Sequence, residues 1–274
     1  MKWLPAAAKI NLALLVGPRR DDGLHEVVTV MQRIDLCDIV ELERAPSLRV
    51  EGFRRDTLVG DALRRLAREA GAEPGWRVKI RKRIPLAAGL GGGSADAAAA
   101  LVLANPLLEE PLPSERLASL AAEIGADVPF FLEPGPKLAA GAGERLPRLD
   151  LPQDYWVVLA LPRRARKTST ADVYARFDDS DLMVGFEERR AALADALASL
   201  RRPRDFASFP ANDLAEAAGR PALVEELVAH GAFRADVSGA GPAVYGLFNH
   251  LPDAKRAARR LRLAARARVV APVW

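Results

Sequence analysis

The alternation of apolar and polar positions changes period many times along the chain, so strands and helices are mixed. Lys9 to Val16 is almost wholly apolar and is flanked by Pro5 and by Gly17-Pro18, which predicts a strand. Arg19-Arg20-Asp21-Asp22-Gly23 predicts a turn, and Val27 to Ile34 with Ile39 to Leu42 predict a hairpin of strands. From Thr57 to Ala70, residues Leu58, Ala62, Leu63, Leu66 and Ala67 recur at helical spacing, with Asp56 as N-cap. Trp76 to Ile84 alternates like a strand, and a glycine-rich loop then opens directly into an alanine-rich helix, Ala95 to Ala104. A helix from Ser114 to Gly125 and short strands at 129–132 and 137–141 follow.

The second half repeats the mixture. Tyr155 to Leu161 predicts a buried strand, and helices are predicted at 170–177, 182–200, 212–218 and 221–230. A second glycine turn, Val237-Ser238-Gly239-Ala240-Gly241-Pro242, precedes a strand at 243–248, a helix at 252–264 and a strand at 267–270. The polar stretch Leu149-Asp150-Leu151-Pro152-Gln153-Asp154 is a natural joint, so domains are expected at 1–150 and 151–274. Interleaved strands and helices imply an α+β fold of two layered domains.

Composition narrows the class. The chain has 274 residues, half of them hydrophobic and 28% charged, which suits a buried core and argues against wholesale disorder. Lys and Arg number 40 against 36 Asp and Glu, so the net charge is only +4. That is mild for a nucleic-acid binder, despite a pI near 9.4. The basic run Lys255 to Arg262 is a solvated helix face, with Ala254, Ala257, Ala258 and Leu261 turned inward. Aromatic residues are 6%, too few to interleave with a basic nucleic-acid surface. One cysteine, Cys37, excludes an intrachain disulfide framework and a multi-cysteine zinc site, and its apolar setting predicts a small packed hydrophobe. Three scattered histidines suggest no metal cluster. The N-terminal apolar stretch, broken by Pro5 and Lys9, is too short for a signal-peptide core, and no run of 18 apolar residues exists. A soluble cytoplasmic protein, with no nucleic-acid or membrane partner, is expected.

The strongest chemical signal is Pro85-Leu86-Ala87-Ala88-Gly89-Leu90-Gly91-Gly92-Gly93-Ser94-Ala95. Glycines let the backbone approach a ligand, and the helix that follows aims its N-terminal amides and positive dipole end into the loop. Both suit a phosphate. Ser94 adds either a hydroxyl ligand or a cap. No Gly-Lys-Ser/Thr follows, and Ser94 stands where a dinucleotide fingerprint needs its third glycine. Lys9 and Asn11 interrupt an apolar strand: Lys9 is either a charged strand end or a cation placed to neutralise a phosphate. Asp127, in Gly125-Ala126-Asp127-Val128-Pro129-Phe130-Phe131, is either a turn carboxylate or a general base. His25, in Gly23-Leu24-His25-Glu26, is either a solvated or structural turn residue or a hydrogen-bonding partner for a base edge.

In this order the motifs resemble the GHMP kinase superfamily, and within it the kinases whose alcohol substrate is 4-diphosphocytidyl-2-C-methyl-D-erythritol, of the non-mevalonate isoprenoid route. The glycine loop matches the superfamily. Lys9-Ile10-Asn11-Leu12, the Gly-x-His-Glu turn and Gly125 to Phe131 match the subfamily, together with Asn212-Asp213-Leu214 and Ser238-Gly239-Ala240-Gly241. The resemblance implies a two-domain fold, with an N-terminal ribosomal-protein-S5-like domain and a C-terminal ferredoxin-like α/β domain. It implies ATP and Mg²⁺, with Pro85 to Ala95 cradling the ATP phosphates and Ser94 available to the metal. It implies Asp127 as the base, oriented by Lys9, and Asn11, His25 and Tyr174 facing CDP-methylerythritol. The turn from Ser238 to Gly241 would close the site. A monomer or weak homodimer is expected. Two departures stand out: Leu24 replaces the family's usual tyrosine, and Ala95 replaces a second serine after the loop. The alternatives are another kinase of the superfamily acting on mevalonate, homoserine or a sugar, a basic RNA-binding module, and a non-catalytic relative. Retention of both Lys9 and Asp127 argues against the last.

Overall fold

The computed structural model describes residues 1–53, 58–141, 146–163, 169–179, 184–219 and 222–274. The expected N-cap Asp56, the helix start at Thr57, and the first residues of the helices expected at 182 and 221 lie outside them. The chain forms two compact units. The first holds residues 1–8, 36–86 and 91–134, and the second holds 9–35, 87–90 and 135–274. The long strands β1 (Lys2–Arg19) and β2 (His25–Arg44) contribute residues to both.

In the first unit, the C-terminal half of β2 pairs antiparallel with β4 (Trp76–Arg81), and β3 (Arg49–Glu51) runs parallel to β4. Trp76, Val78 and Ile80 of β4 are buried between exposed residues, the period expected of a strand with one solvated face. Helices α1 (Leu58–Glu69), α2 (Gly92–Ala104) and α3 (Ser114–Ile124) complete this unit, with α1 packed on both others. From Ala95 to Ala104, α2 is buried except at Val102. Its small side chains allow close neighbours on every side, and it lacks the polar face of a surface helix.

In the second unit, β5 (Lys137–Gly141) and β10 (Pro272–Val273) pair with the N-terminal half of β2. A separate four-stranded antiparallel sheet has the order β7 (Arg234–Val237), β8 (Val244–Phe248), β6 (Trp156–Pro162), β9 (Ala265–Val270). Helices α6 (Ala222–Ala229) and α7 (Leu251–Arg260) cover it. Ala254, Ala257, Ala258 and Leu261 face the sheet as the basic-helix reading expected, in a core with Val158, Leu227, Val244 and Phe248. Helices α4 (Thr170–Asp178) and α5 (Phe186–Ser199) lie in the same unit.

Three of the expected elements take another form, and β3 and β10 were not expected at all. The hairpin expected over 27–42 is one continuous strand, β2. Asp35 and Asp38 look like turn residues, but their carboxylates accept backbone N–H groups, Asp35 from Ala271 and Asp38 from Arg83 and Ile84. The strand expected at 129–132 is a 3-10 turn, Pro129–Phe131, because four apolar residues have no readable period and Pro129 supplies a helical φ. The helix expected at 212–218 is a series of turns, since the Asn212 side chain takes the N–H of Leu214 and Asp236 takes that of Asn212. Cys37 is half-buried rather than packed away. Among the described residues, no helix is long and apolar enough to cross a membrane.

Candidate active site

The glycine-rich segment adopts a backbone that its glycines explain. Gly89 and Gly91 have φ of 79° and 67°, and Ala87 is a non-glycine residue at φ 48°. Gly91 is the N-cap of α2 and has no side chain to offer, so Ser94 lies inside the first turn and does not cap the helix. No acidic residue occupies that turn. The N–H groups of Gly92, Gly93 and Ser94 precede the first helical bond, from Ala95 N–H to the Gly91 carbonyl at 2.8 Å. This end of α2 therefore suits an anion.

Asp127 belongs to the same unit as α2. The turn that presents it is closed by Val128 N–H donating to the Gly125 carbonyl at 3.0 Å. Val128, Pro129, Phe130 and Phe131 are buried immediately after it, and the two phenylalanine rings meet edge to face at 4.9 Å. These anchors pack against α2 and leave Asp127 half-buried. The run of apolar residues after Asp127 thus holds a carboxylate at the edge of the core.

The second unit gathers Lys9, Asn11, Gly89 and the turn at 238–241. Lys9 and Asn11 are two apart on β1, so they share a face. Both are buried, and Lys9 Nζ donates to Asn11 Oδ1 at 2.7 Å. Asn11 Nδ2 donates to Thr29 Oγ1 at 2.8 Å, and Thr29 Oγ1 donates to the Ala13 carbonyl at 2.6 Å. An ammonium can only donate, so this chain fixes the orientation of the Asn11 amide. Tyr245, pushed up to about 12 chiefly by burial, remains a hydroxyl and donates to the Asn11 carbonyl at 2.9 Å.

The second glycine turn clamps the first. Ser238 Oγ donates to the Gly89 carbonyl at 2.9 Å, and Ala243 N–H donates to the Ala88 carbonyl at 3.1 Å. A Cβ on Gly89 would lie 2.0 Å from the Ser238 carbonyl oxygen. Gly239, at φ 57°, lies beside the same groups: a Cβ there would sit 3.3 Å from the Gly89 carbonyl oxygen and 3.5 Å from both Lys9 Nζ and Asn11 Oδ1. The Gly241–Pro242 peptide is cis. Asn212 supports this turn by donating from Nδ2 to the carbonyls of Val237 and Gly239, at 3.0 and 2.7 Å. Asp213 ties the same segment to β1 by accepting Val16 N–H at 2.9 Å. Burial raises the Asp213 carboxyl above its ordinary value, against the opposing pull of Val16 N–H and Arg189.

His25 and Tyr174 form another cluster in the second unit. Their ring centroids are 5.4 Å apart, and Phe177 meets His25 edge-on at 5.9 Å. His25 is buried, with Nδ1 2.9 Å from the Gly17 carbonyl and Nε2 3.0 Å from Asp178 Oδ1. A hydrogen bond from Arg19, aided by His25, holds the Asp178 carboxyl below its usual range. Leu24, beside His25 in sequence, is exposed. Sequence reasoning missed Thr29, Asp178 and the scaffold role of Asn212, because each acts on residues distant in the chain.

Among the described residues, no group of three or more His, Cys, Asp or Glu could hold a metal ion. Magnesium keeps several waters and is bound largely through substrate phosphates, and the half-buried Ser94 hydroxyl in the first turn of α2 is an oxygen of the kind it takes.

The chain matches the family model GHMP kinases N terminal domain over residues 57–135 and GHMP kinases C terminal over 221–267. It is 35% identical to the 4-diphosphocytidyl-2-C-methyl-D-erythritol kinase of Caldanaerobacter subterraneus subsp. tengcongensis, over 94% of this chain and 92% of that protein. A crystal structure of 4-(cytidine 5'-diphospho)-2C-methyl-D-erythritol kinase superposes with a TM-score of 0.80 at 34% identity, covering all of both chains. A mevalonate kinase structure superposes with a TM-score of 0.76 at 14% identity, covering 100% of this chain and 99% of that one, which shows a shared fold. With 35% identity over 94% of its length and both GHMP kinase models matched, the chain belongs to the family of 4-diphosphocytidyl-2-C-methyl-D-erythritol kinases.

Proposed function

We propose that the protein transfers the γ-phosphate of ATP to the 2-hydroxyl of 4-diphosphocytidyl-2-C-methyl-D-erythritol. The observation that supports this most is the buried Lys9–Asn11–Thr29 chain beside Gly89 and Gly239, since only a placed polar group explains a lysine so deep in a strand. Asp127 takes the proton as the substrate oxygen forms its bond to phosphorus and ADP departs. Lys9 orients Asp127 and the hydroxyl. Such a transfer depends on positioning and charge neutralisation more than on covalent chemistry.

The segment Pro85 to Ala95 receives the ATP phosphates, with the α2 amides and the Ser94 hydroxyl as donors. Ser94 would help to hold Mg²⁺ beside the phosphates, and the ion would supply charge neutralisation. Asn11, His25 and Tyr174 contact the cytidine substrate, and residues 238–241 close the site. The division at 150/151 is kept as the boundary between an N-terminal ATP-binding domain, 1–150, and a C-terminal domain, 151–274. The protein acts in the cytoplasm as a monomer or weak homodimer.

A coupled ADP-release assay with Mg-ATP tests the reading, with CDP-methylerythritol, methylerythritol phosphate, mevalonate and homoserine offered in parallel. Turnover with the CDP compound alone is the expected result. Turnover with another alcohol instead would leave the kinase and remove the substrate.

A further inference from the structure

A buried charge cluster stands at the base of the glycine-rich loop, outside the groups assigned above. Asp38 on β2 and Asp96 on α2 are both fully buried. Lys82, just past β4, reaches between them, with Nζ 2.5 Å from Asp38 Oδ2 and 2.6 Å from Asp96 Oδ2. The other oxygen of Asp38 accepts the backbone N–H groups of Arg83 and Ile84. Ile84, one residue before the loop, lies tightly against the start of α2: a Cβ on Gly92 would be 2.9 Å from Ile84 Cγ2 and 3.5 Å from Lys82 Nζ. Burial alone would lower the Lys82 ammonium, but the two carboxylates outweigh it and raise its pKa, keeping the cation charged.

Two carboxylates removed from water are expensive, and an apolar trio of the same volume would fill the space without that cost. What apolar side chains could not supply is direction. The cluster joins three separate pieces of chain, β2, the strand exit at 82–84 and the first turns of α2, by bonds of fixed geometry. Asp96 is also the one charged residue between Ala95 and Ala104. It lies in the second turn of α2, beyond the amides of the helix start.

We propose that Asp38, Lys82 and Asp96 form a latch that pins the backbone entering the glycine-rich loop against the first turn of α2, and so presets the Gly92, Gly93 and Ser94 amides for a nucleotide phosphate. The three are positioning residues and need not touch the nucleotide. The proposal rests on the reading of this loop as the ATP site.

The test uses the full chain with D96N and D38N. Asn is nearly isosteric with Asp, and D38N retains an acceptor for Arg83 and Ile84. Calorimetry gives the Kd for a non-hydrolysable ATP analogue, and steady-state assays give KM for each substrate. The latch predicts that D96N weakens analogue binding and raises KM for ATP by roughly tenfold or more, with KM for the alcohol little changed. D38N and D96N should also be non-additive in a double-mutant cycle on Kd, since both act through Lys82. Folded variants with unchanged KM for ATP and only a lower Tm would overturn the proposal. So would failure of both variants to fold, because the cluster would then serve the fold alone. If the wild-type protein binds no analogue, the ATP reading falls instead, whatever the variants do.

Discussion

The proposed chemistry rests on single side chains, and each is placed by neighbours of a different kind. Asp127 is held by the buried apolar run that follows it, and Lys9 by a polar chain through Asn11 and Thr29. Asp127→Asn is therefore expected to keep the turn and lower kcat by more than about a hundredfold while ATP still binds, the scale of losing a general base. Single-turnover kinetics with a parallel ATP-binding measurement check this, and near-normal turnover would remove Asp127 from the role. Leu24 offers a second test. It is 56% exposed beside the buried His25, at the position where the family resemblance leads one to expect a tyrosine. Stacking on a base is worth about 1–3 kcal/mol, so Leu24→Tyr should lower KM for the cytidine substrate by roughly tenfold. An unchanged KM would show that the base does not reach position 24.

At the scale of elements, turns are fastened to one another by backbone contact. Gly89 has no room for a Cβ against the Ser238 carbonyl and sits at a φ of 79°. Gly89→Ala should push the two glycine turns apart, and KM for ATP is expected to rise by at least about tenfold, with a lower Tm, since small misplacements of a binding loop are costly. Equal ATP kinetics in this variant would separate the clamp from nucleotide binding. The C-terminus of α4 gives a pH test. The Asp178 carboxyl is held below its ordinary value, first by the hydrogen bond from Arg19. A carboxyl lowered in the folded state stabilises at neutral pH and loses that contribution as the pH falls through its folded value. The Tm difference between wild type and Asp178→Asn should therefore be largest near pH 7 and shrink towards pH 3. A difference that grows on acidification would contradict the ion pair.

At the scale of the whole molecule, the proposed site residues are drawn from both compact units. Asp127, Ser94 and the start of α2 belong to the first, and Lys9, Asn11, His25, Tyr174 and residues 238–241 to the second. A ligand that binds only the folded protein stabilises it by mass action, by about 2.7 kcal/mol at a hundredfold excess over Kd. Mg-ATP at that excess should raise Tm by several degrees, measured by calorimetry, and GTP or CTP should be compared at equal concentration. No shift with any nucleotide would contradict the phosphate-binding reading of the glycine loop.

The sequence alone determined those features that depend on neighbours in the chain. Four glycines before a run of alanines read as a close-approach loop opening a helix rather than as a flexible connection, and the helical spacing of Ala254, Ala257, Ala258 and Leu261 already marked the inward face of α7. Lys9, Asn11 and Asp127 were legible as polar residues set in apolar surroundings. Only the tertiary structure decided what depends on partners far along the chain. Asp38 looks like a turn residue until Arg83 and Ile84 arrive as donors, and it then lies in the middle of one long strand. Asn212 belongs to a good helical pattern until its amide is claimed by the carbonyls of Val237 and Gly239. Lys82 and Asp96 are ordinary charges until burial makes each depend on the other. Local propensity is a weak preference of under about 1 kcal/mol per residue, and a buried hydrogen-bonding group with a distant partner outweighs it.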